Sequence, residues 1–476
     1  MKPNSATSRR RFILGTGLVS TTAALQGQSP ATVSAPPARV KEVHGPVPTI
    51  LPVPGTAFLH AGPMVGHVTD TTARLWAKAS NAARLDFKIS ASPDLSSARL
   101  VRGSTLAEAT CFTGQVQVDG LQPDTRYFYS PLLNGTAALA RPFPSFVTAP
   151  VADQHGRLRF AFGSCVGYRG YSAAAAFGEM AARRNFDLLL MLGDNHYGDT
   201  TNPDLLRDFN HMLRTVDGFA SLTREIPTYS IWDDHDYGPN NSDGTTAGKE
   251  DSLGIFKDWW ANPGYGEENN PGCYYHFSRS GVDFFMLDVR YHRTPNKTPE
   301  DGKKTMLGAR QLEWLKAGLA ASKAKFKIIG SGSEWQTLTQ PDCWSSFARE
   351  RQEIFDHITA HQIQGVVMIS GDRHFTAGYQ VQGRHLEFTS GPLGSGNATL
   401  MENPERFTGA DEGKLWAVLD FDTTAPTPTL HYEIWQAGGG LLERRELSYA
   451  EVSGQQKITP SPLPLLPERM EKKPGR

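Results

Sequence analysis

Two periodicities divide the chain. Between residues 57 and 148, short runs such as TTARLWAKAS, LDFKISAS, CFTGQVQVDG, TRYFYSPLLNG and SFVTAP alternate apolar and polar positions, and Gly, Pro, Asn and Asp punctuate them. Period-two patterning between frequent turn residues predicts a small antiparallel sandwich. From about residue 157 continuous apolar runs replace the alternation. RLRFAFGSC precedes the helix-like AAAAFGEMAARRN, FDLLLMLGDN precedes PDLLRDFNHMLRTV, and IPTYSIWDDHD follows. GVDFFMLDVR, GARQLEWLKAGLAASKA, KFKIIGSGS, RERQEIFDHITAHQ and GVVMISGDRH continue the same order. Strands that are apolar on both faces and separated by helices predict a layered α/β domain around buried sheet.

The two ends follow neither pattern. SRRRFILGTGLVSTTAALQ sets Arg9, Arg10 and Arg11 before a short, mildly apolar run rich in Gly, Ala and Thr. A spanning helix needs about 20 strongly apolar residues, and this run is shorter and weaker. It resembles a twin-arginine export signal, cleaved after Ala24 or Ala35; a basic N-terminus with no address is the competing reading. The expected organisation is a signal over 1–35, a Pro-rich linker over 36–56, a sandwich over 57–150, an α/β domain over 157–450 and a Pro-rich tail over 451–476. A periplasmic or secreted monomer without a membrane span in its mature form is expected, with the export machinery as a partner.

Charge removes one class of function. The 48 basic and 49 acidic residues leave a formal charge of -1, so no global field draws the chain to nucleic acid or to anionic membrane. The cysteines are Cys111, Cys165, Cys273 and Cys343. An oxidising compartment permits disulfides, and the contexts of Cys273 and Cys343 offer these two to each other. Cys165 is then a half-cystine, a nucleophile or a metal ligand.

Polar chemistry directly follows the apolar strands: Cys165 after FAFGS, Asp194 after LLLMLG, Asp233 to Asp236 after TYSIW, and Asp372 with His374 after VVMISG. Ligands of open α/β sheets gather beyond the carboxyl ends of strands, so these ends could form one site. Each motif has a bland alternative. Asp194 could serve as a turn or cap residue, Tyr197 as a packed aromatic, and the DDHD segment as a solvated loop. Together, however, carboxylates and an imidazole beside a thiol and a phenol make a mixed donor set, suited to iron with an oxygen-preferring ion.

In the order FAFGSC, LGDNHYGD, WDDHD, FFMLDVRYHR, LGARQLEWL and SGDRHFT, the chain resembles the PhoD-type alkaline phosphatases and phosphodiesterases, a branch of the calcineurin-type metallophosphoesterases. DGLQPDTRYFYSPLLNG is similar to the corner of a fibronectin-type module. The resemblance implies a four-layer α/β/β/α fold, with an Fe3+ ion held by Cys165, Asp194, Tyr197 and His374. It implies Ca2+ bridged by Asp194 and held by Asp372 and by an asparagine after the DDHD segment, for which Asn240 is the choice. Asn241 and Asp234 compete for that place, and Zn2+ or another divalent ion is an alternative metal. It further implies a phosphate mono- or diester as substrate, attacked by an activated hydroxide. His235 and Asp236 are then candidates for orienting groups or for leaving-group protonation, and Arg290, His292 and Arg373 for phosphate contacts. The rival functions are an exported polymer-binding protein whose α/β domain has lost its chemistry, and a serine esterase. The esterase lacks its motif, because FGSCVG, IGSGSEW and GPLGSGN do not form a G-x-S-x-G elbow.

Overall fold

The alternating runs before residue 150 pair as β1 (Leu59–Val68), β2 (Ala73–Ala79), β3 (Ala83–Ser90), β4 (Arg99–Leu106), β5 (Thr113–Val118), β6 (Arg126–Leu133), β7 (Thr136–Ala137) and β8 (Ser145–Val147). In this computed structural model, which describes residues 51–152, 154–337 and 341–461, they make two antiparallel sheets. One has the order β1-β2-β5; the other has β4-β3-β6-β7, with β8 against β6. Their inward positions, among them Val65, Leu75, Leu85, Phe87, Val116, Tyr129 and Phe146, close one small core. The expected signal over 1–35, most of the linker and residues 462–476 of the tail lie outside the described residues.

The apolar runs after residue 157 build two larger sheets. In the first, β9 (Arg157–Gly163), β10 (Leu188–Leu192) and β11 (Thr228–Ile231) run parallel. β19 (Leu415–Asp422), β20 (Thr429–Gln436) and β21 (Gly440–Ser448) extend this sheet antiparallel to the order β11-β10-β9-β19-β20-β21. The second holds β12 (Tyr275–Arg279), β13 (Val282–Met286), β14 (Phe326–Ser331), β15 (Val366–Ser370), β16 (Thr376–Val381), β17 (His385–Thr389) and β18 (Arg406–Ala410). Its order is β12-β13-β14-β15-β17-β16-β18, parallel through β13, β14, β15 and β17. Every residue of β10 and of β15 is buried, as strands covered on both faces must be.

Aromatic contacts join the sheets face to face: Phe160 with Phe284 at 5.3 Å between ring centroids, and Phe388 with Tyr432 at 4.1 Å. Helices cover the outer faces. α1 (Ala174–Arg183), α2 (Pro203–Arg214) and α3 (Asp217–Thr223) pack apolar residues such as Phe177, Met180, Leu213 and Phe219 into the core of the first sheet. The short α4 (Asp234–Tyr237) and then α5 (Lys249–Trp259) follow β11. α6 (Gly308–Ala321) and α7 (Ala348–Ala360) set Leu315, Leu319, Ile354 and Phe355 against Phe285, Ile329 and Met368 of the second sheet. The result is helices, sheet, sheet, helices. α2 starts where its sequence dictates, with Asn202 accepting the N–H groups of Asp204 and Leu205 and Pro203 in the first turn.

The sandwich docks by polar anchors around an aromatic box. Trp76 Nε1 donates to Asp258 O at 2.8 Å, Tyr129 Oη donates to Arg224 O at 2.7 Å, and Gln115 Nε2 donates to Lys257 O at 2.7 Å. The buried Arg214 guanidinium lies over Trp76, Trp259 and Trp260, nearest to Trp260 at 4.3 Å. Three histidines sit in the same junction. His60 packs on His211 with centroids 4.5 Å apart, and His67 Nδ1 meets Tyr229 Oη at 3.3 Å. Burial, reinforced by nearby cations, lowers His60 and His67 to about 4 and His211 to about 3. Below about pH 6.5 the unfolded chain takes up protons that the folded chain refuses, so stability falls as pH drops from about 6.5 towards 4. A thermal midpoint that declines over this window, with a shallower decline in His67→Gln, is the expected outcome of denaturation scans against pH.

Candidate metal centre

Four strand ends deliver the polar residues to one place. Cys165, Asp194, Asp233 and Asp372 each lie two residues beyond the last residue of β9, β10, β11 and β15 respectively. The chain turns sharply there: Cys165, Asp194 and Asp372 have φ of 58°, 50° and 65°. Left-handed backbone at non-glycine residues is held only where the surroundings enforce it. Gly193 makes the turn after β10 possible. Its φ is 89°, and a Cβ there would stand 2.6 Å from the Asp233 backbone nitrogen.

The side chains converge in overlapping groups. Ligand-type atoms of Cys165, Asp194 and His374 lie within 4.8 Å of one another, as do those of Asp194, Asp234 and His235, and those of Asp233, Asp234 and Asp372. Tyr197 completes the first group, its Oη 3.2 Å from Asp194 Oδ2 and 2.9 Å from His374 Nε2. Cys165 Sγ is 3.6 Å from Asp194 Oδ2. Asp194 therefore joins a thiol, phenol and imidazole cluster to a carboxylate cluster.

Protons and charges in this arrangement are costly without a cation. Burial, then the Asp194 carboxylate, pushes the Cys165 thiol well up, and burial likewise raises Asp194 and the Tyr197 phenol. Asp233 and Asp372 are raised to about 7 by burial, with Asp234 adding repulsion to each and an arginine opposing the shift. Asp234 alone is held below the usual carboxylate range, because Arg290 and His235 overcome its burial. Asp194 Oδ1 and Asp233 Oδ2 are buried with no hydrogen-bond partner, while Asp234 Oδ1 and Asp372 Oδ2 have only an arginine beside them, Arg290 Nη2 at 3.7 Å and Arg373 Nη2 at 3.1 Å. Buried carboxylate oxygens left over in this way call for a cation. The donors fit one, since a thiol and a phenol shed their protons when a metal binds and carboxylates supply hard oxygen.

The other expected residues fall into two sets. His235 faces the centre: its ring stacks on Tyr197 with centroids 4.0 Å apart, and its Nδ1 pairs with Asp199 Oδ1. Although burial pulls it down, the carboxylates of Asp194, Asp234 and Asp199 raise it to about 10. Arg373 lies at the rim, its side chain 19% exposed, held by Glu334 at 2.5 Å and 3.1 Å from Asp372 Oδ2.

Arg290 requires a correction. Sequence reasoning offered it as a phosphate contact, but its side chain is fully enclosed. Nε donates to Asp233 Oδ1 at 2.6 Å and Nη2 to Asp342 Oδ2 at 2.8 Å, while Nη1 reaches Ser242 O at 3.2 Å. With its fork occupied, it positions Asp233. Asp236 also turns inward, accepting from Asn195 N at 2.8 Å, Asn195 Nδ2 at 2.9 Å and Asp233 N at 3.0 Å, so it fixes the turn rather than meeting a substrate. His292 pairs with Pro271 O at 2.8 Å, a structural contact. Asn240 and Asn241 are exposed, and it is the Asn241 main chain that reaches the cluster, its N–H donating to Asp234 Oδ2 at 2.6 Å. The suggested Cys273–Cys343 disulfide is absent, because all four cysteines are buried and free of disulfides.

Sequence reasoning passed over Asp199, Glu334 and Asp342, which hold His235, Arg373 and Arg290. Their only signal was an acidic residue among loop residues. Asp233 had a stronger one, since it stood inside the DDHD segment.

A family model described as PhoD-like phosphatase matches residues 160–419. A second, described as a domain of unknown function (DUF7800), matches residues 56–150. Alkaline phosphatase D of Bacillus subtilis (strain 168) is 25% identical over 313 residues, 54% of this chain and 52% of that protein. The chain thus spans about half the length of this curated relative. A solved structure of PhoD superposes with a TM-score of 0.69 at 18% identity, covering 83% of this chain and 94% of that one. A purple acid phosphatase from yellow lupin (Lupinus luteus) seeds superposes at 0.61 with 12% identity, covering 81% and 74%. These two likenesses are of fold.

Proposed function

Because the chain belongs to the PhoD-like phosphatase family, whose model covers residues 160–419, we propose that it is an exported, metal-dependent phosphoester hydrolase with an Fe3+ and Ca2+ centre. The observation that carries this reading is the meeting of a thiol, a phenol, an imidazole and four carboxylates at adjoining strand ends, with Asp194 Oδ1 and Asp233 Oδ2 left unpartnered. Cys165, Asp194, Tyr197 and His374 would hold iron. Asp194, Asp234 and Asp372 would hold calcium, with Asn240 on the exposed loop closing over them. Four first-group donors also meet the tetrahedral preference of Zn2+, so the visible spectrum decides between it and iron. When bound, such a cation pair neutralises the ester's charge and activates water.

The chain's own residues do the rest. His235, fixed through Nδ1 by Asp199, presents Nε2 for protonating a leaving oxygen. Arg373, braced by Glu334, is the guanidinium at the rim that meets the phosphate. Arg290 holds Asp233 in register from beneath. Among the described residues no helix is long and apolar enough to cross a membrane, and the export part of the proposal rests on Arg9 to Arg11 and the run that follows them.

Hydrolysis of p-nitrophenyl phosphate and of bis(p-nitrophenyl) phosphate tests the reading. Turnover of at least one ester at alkaline pH is expected, with loss on chelation and return when Fe3+ and Ca2+ are restored. Failure to hydrolyse either ester in metal-loaded protein would contradict it, and the ratio of the two rates defines the substrate class.

A further inference from the structure

One residue breaks the strand pattern far from the metal centre. β12 reads Tyr275, His276, Phe277, Ser278, Arg279, with burial alternating in, out, in, out, in. Tyr275 and Phe277 fill the inward face as period two requires, and Arg279 stands where the third apolar residue belongs. It is only 8% exposed. Its Nη1 is buried without a hydrogen-bond partner, and no carboxylate pairs with its guanidinium among the described residues. Arginine does not escape such a site by losing its proton, and a buried, unpaired charge is strongly unfavourable. A sequence that breaks its own pattern at such expense marks a functional position.

Two cavities flank this guanidinium. One, of about 410 Å³, lies between the sandwich and the first sheet; the other, of about 1160 Å³, lies between the sandwich and α6, and Arg279, Pro150 and Ser280 line both. The smaller cavity is lined by four arginines, Arg126, Arg157, Arg184 and Arg279, against three acids, Asp124, Asp187 and Glu225. Arg126 is exposed and binds Ser145 Oγ at 3.0 Å rather than an acid. Arg157 is 68% exposed, with Asp420 no closer than 3.8 Å. Of these acids Glu225 pairs with Arg184, Asp187 Oδ2 accepts the main-chain N–H of Arg159 at 2.8 Å, and the four arginines outnumber the three acids. These groups lie at the amino-terminal end of β9, which its length of about 3.3 Å per residue sets about 25 Å from Cys165.

We propose that Arg279, with Arg126 and Arg157, forms a second oxyanion site that takes phosphate or a phosphate-like dianion at the junction of the two domains. A tetrahedral dianion offers paired oxygens to the guanidinium fork and neutralises the buried charge. The cavity's volume falls within the range of small-molecule sites, so it also has room for the organic part of a phosphomonoester. This inference stands apart from the hydrolase reading, since it uses none of the residues of the metal centre.

Equilibrium dialysis of labelled inorganic phosphate against the full-length, metal-loaded chain tests it. The wild type is expected to bind one more phosphate per chain than Arg279→Met, whether the count falls from two to one or from one to none. The second pattern would uphold this site while counting against phosphate binding at the metals. In phosphate-free buffer Arg279→Met is expected to keep or raise the thermal midpoint, because an uncompensated charge is gone, and to keep kcat within twofold. Arg279→Lys, which loses the fork, is expected to weaken the site by about tenfold. Equal phosphate counts in wild type and Arg279→Met would overturn the proposal. If Arg279→Met does not fold, the exposed double substitution Arg126→Ala with Arg157→Ala decides: at least threefold weaker binding supports the site, and unchanged binding overturns it.

Discussion

Asp194→Asn is expected to lower phosphoester hydrolysis by about a thousandfold or more, equivalent to about 4 kcal/mol of lost transition-state stabilisation. The reason is its place between two clusters. Asp194 lies with Cys165 and His374 on one side and with Asp234 and His235 on the other, and its Oδ1 is buried without a partner. An amide keeps the shape but removes the negative charge that a cation pair shares. The same substitution has the opposite sign in the metal-free protein. Burial and the carboxylates of Asp234, Asp233 and Asp372 resist ionisation of Asp194 more than His235 favours it, so an amide that never ionises removes that cost. The expected outcome is a higher or unchanged thermal midpoint in chelator and a lower one with metal, so that the gain on metal addition collapses. Paired melting curves with and without Fe3+ and Ca2+ measure this, and a residue that merely packs would shift both curves in the same direction.

Arg290→Met is expected to destabilise the fold by about 3–5 kcal/mol, the usual result of removing one partner from a buried ion pair. Arg290 bonds two buried carboxylates, Asp233 at 2.6 Å and Asp342 at 2.8 Å, and lies 3.7 Å from a third, Asp234. Arg293 retains a hold on Asp342 at 2.6 Å, so Asp233 is the group left exposed to the loss. Methionine fills comparable space and gives Asp233 nothing. Arg290→Lys should recover part of the stability, because an ammonium supplies charge without the planar fork that reaches both acids. The midpoint of urea unfolding reports the ranking expected: wild type, then Lys, then Met. Equal midpoints would mean that Arg290 carries no structural charge.

The catalytic framework was legible because buried parallel strands write themselves as unbroken apolar runs. FAFGS, LLLMLG, TYSIW and VVMISG each end one residue past β9, β10, β11 and β15, and the residues that follow them are those that meet. Arg290 was not legible in that way. In sequence it stands in VRYHR, in a loop just after FFMLD, which reads as an accessible cation, and its partners are 57 and 52 positions away. The lack of a disulfide between Cys273 and Cys343 was hidden for the same reason, since spacing along a chain says nothing about approach in space. The insertion of β19 beside β9, pairing Ala417 with Phe162 and Val418 with Ala161, is likewise a long-range choice made by the sheet. Asn240 shows the limit at loops: a turn can close over a site by main chain, as Asn241 does, while its side-chain roles remain unspecified by local pattern.

Metal content measured together with the visible spectrum, on wild type, Cys165→Ala and Tyr197→Phe, tests the central claim most directly. The expected result is near-stoichiometric iron and calcium in the wild type with a phenolate-to-iron absorption band, abolished in Tyr197→Phe and shifted or weakened in Cys165→Ala. Colourless wild-type protein that is fully active without iron, or a band that persists unchanged in Tyr197→Phe, would contradict it.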